Sequence, residues 1–222
     1  MLSFVAGMVN ITGVLAVYTL TTNVTGHFAF FSEEFVLGDY ELAITYVSYI
    51  CAFLSGAILC GFLVELLIRH KPAISHAIPM GLEISILVFV SLATDTMTHQ
   101  WAARALLFAM GLQNALVTKI SRATVRTTHL TGLFTDLGIE ISQLIFYRGK
   151  TESKKLSRSI YLRLAIILFF FFGGVFGGFV FNSLQIKTLI VAALSLLLAL
   201  AYDTIRFGFH HYSRKFRSKP HG

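Results

Sequence analysis

Residues Ile160 to Phe181 read Ile160-Tyr-Leu-Arg-Leu-Ala-Ile-Ile-Leu-Phe-Phe-Phe-Phe-Gly-Gly-Val-Phe-Gly-Gly-Phe-Val-Phe181, and a second apolar run covers Ile186 to Ala201. Runs of roughly 20 apolar residues match the hydrocarbon thickness of a bilayer at helical rise, and buried helices of soluble proteins are usually shorter. The alternation of a membrane barrel strand is absent. Composition agrees: 55% of the chain is hydrophobic, 13% is charged, and the mean hydropathy is +0.73. That leaves too little charge to cover a water-facing surface. The expected fold is all-α and polytopic, with spans at about 2–20, 42–68, 77–94, 100–118, 159–181 and 186–205. Two more polar stretches lie at about 27–37 and 129–147. The N-terminus lacks a basic leader, so the first span is expected to begin there directly. The chain reads as one membrane domain over 1–222, ending in a basic tail at 207–222.

The net charge of +7 is placed asymmetrically. Arg69 and Lys71 follow the second span, Arg148 to Arg158 precede the fifth, and Arg206 and the tail follow the sixth. Glu33, Glu34, Asp39 and Glu41 precede the second span with no Lys or Arg among them. Lys and Arg mark cytoplasmic loops, so six crossings with both termini inside are expected. No aromatic-basic surface pattern points to nucleic acid. Cys51 and Cys60 lie nine residues apart in one apolar run, on opposite sides of a helix, and cannot pair there.

The chain also repeats. Gly7-Met-Val-Asn10 followed by Thr21-Thr-Asn-Val-Thr-Gly26 is matched by Gly111-Leu-Gln-Asn114 followed by Thr127-Thr-His-Leu-Thr-Gly132. Leu92-Ala-Thr-Asp-Thr96 is matched by Leu200-Ala-Tyr-Asp-Thr204. The three offsets of 104, 106 and 108 residues keep order and spacing. Repeat 1 would cover about 1–97 and repeat 2 about 98–206. Three spans per half force the second half to enter from the opposite side. The result is a 3+3 inverted repeat, an architecture of secondary transporters and channels.

In each half the T-T-[NH]-x-T-G motif interrupts a helix-forming stretch, because Thr and Asn bond the backbone locally and Gly weakens a helix. The first and fourth spans are therefore expected to break. Two broken helices at corresponding positions point to a central site, lined by Asn10, Thr22, Asn23, Thr25, Gly26, Asn114, Arg126, Thr128, His129, Thr131 and Gly132. Free N–H groups at half-helix starts favour anions, and Arg122 and Arg126 share a helical face. The same residues also suit a packed structural seam, and the two arginines also suit a cytoplasmic loop. Glu83 and His129 are candidates for a proton relay, with a hydrogen-bonded structural His as the alternative. Glu65 is placed to pair with Arg69. Asp136 and Glu140 share one face, for a cation or a nearby Arg or Lys. Ser48, Ala52, Gly56 and Cys60, and Gly173, Gly174, Gly177 and Gly178, form small-residue stripes for close helix packing that permit a homodimer. Neither glycosylation sequon, at Asn10 or Asn23, fits its apolar surroundings. No catalytic motif, cofactor motif or metal-ligand cluster is present, and no enzyme is expected.

Ala6-Gly-Met-Val-Asn10, Thr22-Asn-Val-Thr-Gly26, Gly111-Leu-Gln-Asn-Ala115 and Val125-Arg-Thr-Thr-His-Leu-Thr-Gly132 resemble the YoaK-like family of bacterial multi-pass membrane proteins over nearly the whole chain. The first block departs at Asn10, where an acidic residue is expected, and at Asn23, where His is expected. The resemblance implies a bacterial inner-membrane location and no established biochemical role. A small-solute or ion transporter or channel is the first functional expectation, with the lipid bilayer and a small anion as partners. A membrane scaffold or regulator is the second.

Overall fold

The computed structural model describes residues 1–70, 74–93, 96–120, 128–146 and 150–217, with side chains described from 152 to 202 in the last segment. The described residues form helices α1 (Leu2–Val17), α2 (Val24–Leu37), α3 (Tyr40–His70), α4 (Ala77–Leu92), α5 (His99–Ile120), α6 (Leu130–Phe146), α7 (Lys150–Leu184) and α8 (Thr188–Arg217). A short 3-10 turn, Gln185–Lys187, joins the last two. No strand is present among the described residues. The expected spans match α1, α3, α4, α5, α7 and α8, and the two polar stretches match α2 and α6.

Helix ends follow local chemistry. Tyr18 closes α1 in the left-handed region at φ 55°, and the Thr19 N–H donates back to the Gly13 carbonyl (3.2 Å). The chain then turns back along α1, and Thr21 packs over Gly13, where a side chain would collide with it. Asn23 caps α2 by accepting from the Gly26 N–H (3.1 Å), the expected use of Asn at such a position. Gly38, at φ 85°, closes α2, and Asp39 caps α3 by accepting from the Leu42 N–H (3.0 Å). Gln185, at φ 50°, ends α7 and redirects the chain.

Two parallel seams hold the bundle together. Gly7 of α1 rests on the Phe170 carbonyl of α7, and Gly173 of α7 rests on the Phe4 carbonyl. Likewise Gly111 of α5 rests on the Phe53 carbonyl of α3, and Gly56 of α3 on the Phe108 carbonyl. A Cβ at any of these four glycines would overlap backbone, so only glycine permits the approach. The small-residue stripes are thus filled within one chain. α2 packs on α3, α6 on α7, and α4 on α5 and α8.

The core is apolar, as in a water-soluble bundle, but the surface is apolar as well. Ile44, Leu54, Ile58 and Phe62 of α3, Phe172 and Phe179 of α7, and Leu194 and Leu198 of α8 are exposed. Thr12, His27, Glu83 and Gln113 are buried. So continuous an apolar surface would drive association in water, whereas hydrocarbon solvates it. Two stretches, Tyr40–His70 and Glu152–Tyr202, are long and apolar enough to cross a bilayer. The molecule is an all-α protein with the character of a membrane protein.

Candidate functional site

The segments that carry the repeated motif meet at one cavity of about 1010 Å³, large enough for a small-molecule ligand. Thr22 Oγ1 donates to Asn10 Oδ1 (2.9 Å), tying the segment before α2 to the middle of α1. Thr128 Oγ1 donates to Asn114 Oδ1 (2.8 Å), tying the segment before α6 to α5. The two bonds join corresponding residues of the two motifs. His27, buried on the first turn of α2, holds the returning chain through Nε2 and the Leu20 carbonyl (2.7 Å) and stacks on Tyr46.

α6 begins as α2 does. His129 stands just before it, accepts from the Leu133 N–H through its carbonyl (3.0 Å), and lays its ring over Gly132. Any Cβ on Gly132 would strike that ring, which explains the glycine three residues after His. At Asn23 and Gly26 the same spacing serves the side-chain cap. The first turns of α2 and α6 both face the cavity, through Val24, Thr25 and Gly26 and through Leu130 and Thr131. Their N–H groups and helix dipoles therefore present positive potential to it.

Of the sequence-derived site residues, Asn10, Thr22, Asn23, Thr25, Gly26, Asn114, Thr128, His129 and Thr131 line the cavity. Gly132 lies under the His129 ring just behind it. Arg122 and Arg126 lie outside the described residues. Glu83 is not at the cavity: it is fully buried on α4, and neither carboxylate oxygen has a hydrogen-bond partner among the described residues.

Other lining residues escaped sequence reasoning. Phe53, Ala57 and Gly61 line the cavity from α3, and Thr118 and Lys119 from α5. The stripe Ser48–Ala52–Gly56–Cys60 was singled out, but that face holds α5, and the face one residue further on meets the cavity. Thr118 could have been found as the residue one turn beyond Asn114. Among the described residues the wall has one lysine, Lys119, and no carboxylate, and Lys119 forms an ion pair at the rim with Glu65. Lys119 is the stronger partner of Glu65, because parallel packing of α3 and α5 brings the two helix ends together, and the expected attraction from Arg69 is the lesser one. Asp136 and Glu140 do meet an arginine: Arg163 of α7 donates to both (2.7 and 3.0 Å), away from the cavity.

A helical, lipid-compatible bundle with a half-open, mostly apolar cavity that carries polar groups at the starts of two short helices defines the class: an all-α protein of membrane type. Within it, the chain belongs to the DUF1275 family of proteins of unknown function, whose family model matches residues 1–202. This is the YoaK-like family its motifs resemble. No curated protein and no solved structure matches the chain.

Proposed function

We propose that the protein is a small-solute transporter of the bacterial inner membrane, not an enzyme, and that its solute is a small anion. The observation that carries this reading is the meeting of both T-T-[NH]-x-T-G segments at one cavity, through the corresponding bonds Thr22–Asn10 and Thr128–Asn114. In this reading the chain crosses the membrane six times as an inverted repeat, with both termini in the cytoplasm. α1 with α2 and α5 with α6 are its two broken spans, α2 and α6 being half-helices that start near the midplane. Corresponding contacts support the duplication: Gly7 on Phe170 and Gly111 on Phe53, and Gly173 on Phe4 and Gly56 on Phe108. Anion preference is supported by the two helix starts and by a wall without Asp or Glu among the described residues. Glu83, ionisable and buried within the bundle, is the candidate for proton coupling. Nucleic acid has no part in this reading. A homodimer would need a face other than the glycine stripes, which are filled within the chain.

The alternative is a scaffold whose polar motif only holds helices together, but a cavity of this size between the motifs favours a ligand. The test is thermal stability in detergent with chloride, nitrate, acetate and inorganic phosphate. At least one should stabilise the protein, and the effect should disappear in Asn23→Ala and in His129→Ala. No stabilisation by any of a broad solute panel, with no flux in liposomes, would support the scaffold.

A further inference from the structure

The cavity is one-sided, and that asymmetry resolves how the site is reached. Counterparts in the two halves stand 104 residues apart between α1 and α5 and 117 apart between α3 and α7, as the paired glycine contacts require. On α3 and α5 the cavity runs from the central motif along Ala57, Gly61, Ala115, Thr118 and Lys119 to the end of the bundle that carries the Lys119–Glu65 pair. Gly61 has no atom within 4 Å of where its Cβ would stand.

The corresponding path on α7 and α1 is filled at Ile11. The counterpart of Ala115 is Ile11, which seats against Gly177 and Gly178. A Cβ on Gly177 would lie 2.9 Å from Ile11 Cγ2 and from Met8 Cα. The counterparts of Thr118 and Lys119 are Val14 and Leu15. Neither these residues nor Ile11 reaches the cavity wall. One seam is therefore packed where its counterpart is open, although both are built on the same glycine contacts.

We propose that the protein is an alternating-access carrier rather than a pore. In this structure its site opens along the α3–α5 seam toward the cytoplasmic side, and Ile11 in the Gly177–Gly178 notch is the closed outer gate. This rests on the transporter reading above. Transport requires a second state in which the α1–α7 seam parts at Ile11 while the α3–α5 seam closes over Gly61. The room at Gly61 lets α5 approach there, and the loss of Ile11 packing sets the cost of opening the outer side. Rocking of two halves about a fixed central site is how inverted repeats alternate access.

The test uses the full-length chain in right-side-out and inside-out vesicles, with Cys51→Ser and Cys60→Ala and a single new cysteine from Ala57→Cys. A membrane-impermeant maleimide is added to one face at a time. Labelling should be fast from the cytoplasmic face and slower from the outer face by about tenfold or more, as expected for a minor second state. Gly177→Ala, whose methyl group pushes Ile11 and Met8 away, should raise the outer rate several-fold. Gly61→Phe, whose Cβ would meet nothing within 4 Å and whose ring would occupy the passage, should lower the cytoplasmic rate. It tests the proposal even if Gly177→Ala fails to fold. Equal rates from both faces would show a pore and overturn the proposal. Labelling from the cytoplasmic face alone, unmoved by Gly177→Ala, would overturn the second state while leaving a binding site in place. No labelling from either face would overturn both this proposal and the transporter reading.

Discussion

Thr22 and Thr128 each do two things. Each supplies a hydroxyl to the cavity wall, and each fastens its returning segment to an asparagine one helix away. Replacing either with valine keeps the shape and removes the bond. Thr22→Val and Thr128→Val should each lower stability in detergent by about 1 kcal/mol, the usual net worth of such a bond, which thermal unfolding would measure. Glu83 has a different expected signature. Glu83→Gln keeps the side chain's shape and breaks no ion pair among the described residues, so the protein should fold and still bind anion. If Glu83 couples protons, flux into liposomes should fall on the order of tenfold or more, near the span of ordinary acid–base roles. Unchanged flux would make Glu83 a packing residue. At this scale the sequence was informative where chemistry repeats: nine of the predicted site residues stand on the cavity wall. It was uninformative where a residue matters through its neighbours. His27 carries no motif signal: its bond to Leu20 needs the chain to turn back before α2, and its contact with Tyr46 needs α2 to lie along α3.

The short helices α2 and α6 are held by unlike chemistry. α2 meets α3 through aromatic contacts, Phe30 on Tyr46 (5.3 Å) and His27 on Tyr49 (5.4 Å). α6 meets α7 through Arg163, which joins Asp136 and Glu140, with Ser159 donating to Glu140 (2.7 Å). Arg163→Ala should release α6 and cost about 1–3 kcal/mol, the penalty for stranding partly buried charge partners. Hydrogen exchange should then rise across Leu130–Phe146 and not across Val24–Leu37. Salt should loosen α6 in the native chain more than α2, because the half-exposed Asp136 is screened and an aromatic stack is not. The seams make a sharper demand: Gly56→Leu forces a side chain into the Phe108 carbonyl. Overpacking of this kind typically costs about 1–3 kcal/mol or more. A melting temperature equal to that of the native chain would contradict the seam. Helix positions were legible because apolar length and turn chemistry are local. The left-handed closure at Tyr18 was not, since a tyrosine rarely adopts φ 55° and the pull comes from Thr21 folding back over Gly13.

Taken as a whole, the molecule turns a lipid-compatible surface outward, which composition and hydropathy already implied, and buries a few polar groups within an apolar core. Where the central cavity opens was not legible. The difference between Ile11 and Ala115 acquires meaning only once Ile11 is seen against Gly177 and Gly178 and Ala115 on the cavity wall. The proposed function stands on the central cavity. The most direct test is anion flux in proteoliposomes carrying the purified full-length chain, with chloride, nitrate, acetate and inorganic phosphate supplied in turn. The account predicts saturable flux of at least one of them, reduced by Thr22→Val and by Thr128→Val alike because the two bonds hold one site. Folded protein whose Ala57→Cys is labelled from the aqueous phase, yet which passes none of these anions and is stabilised by none, would contradict it.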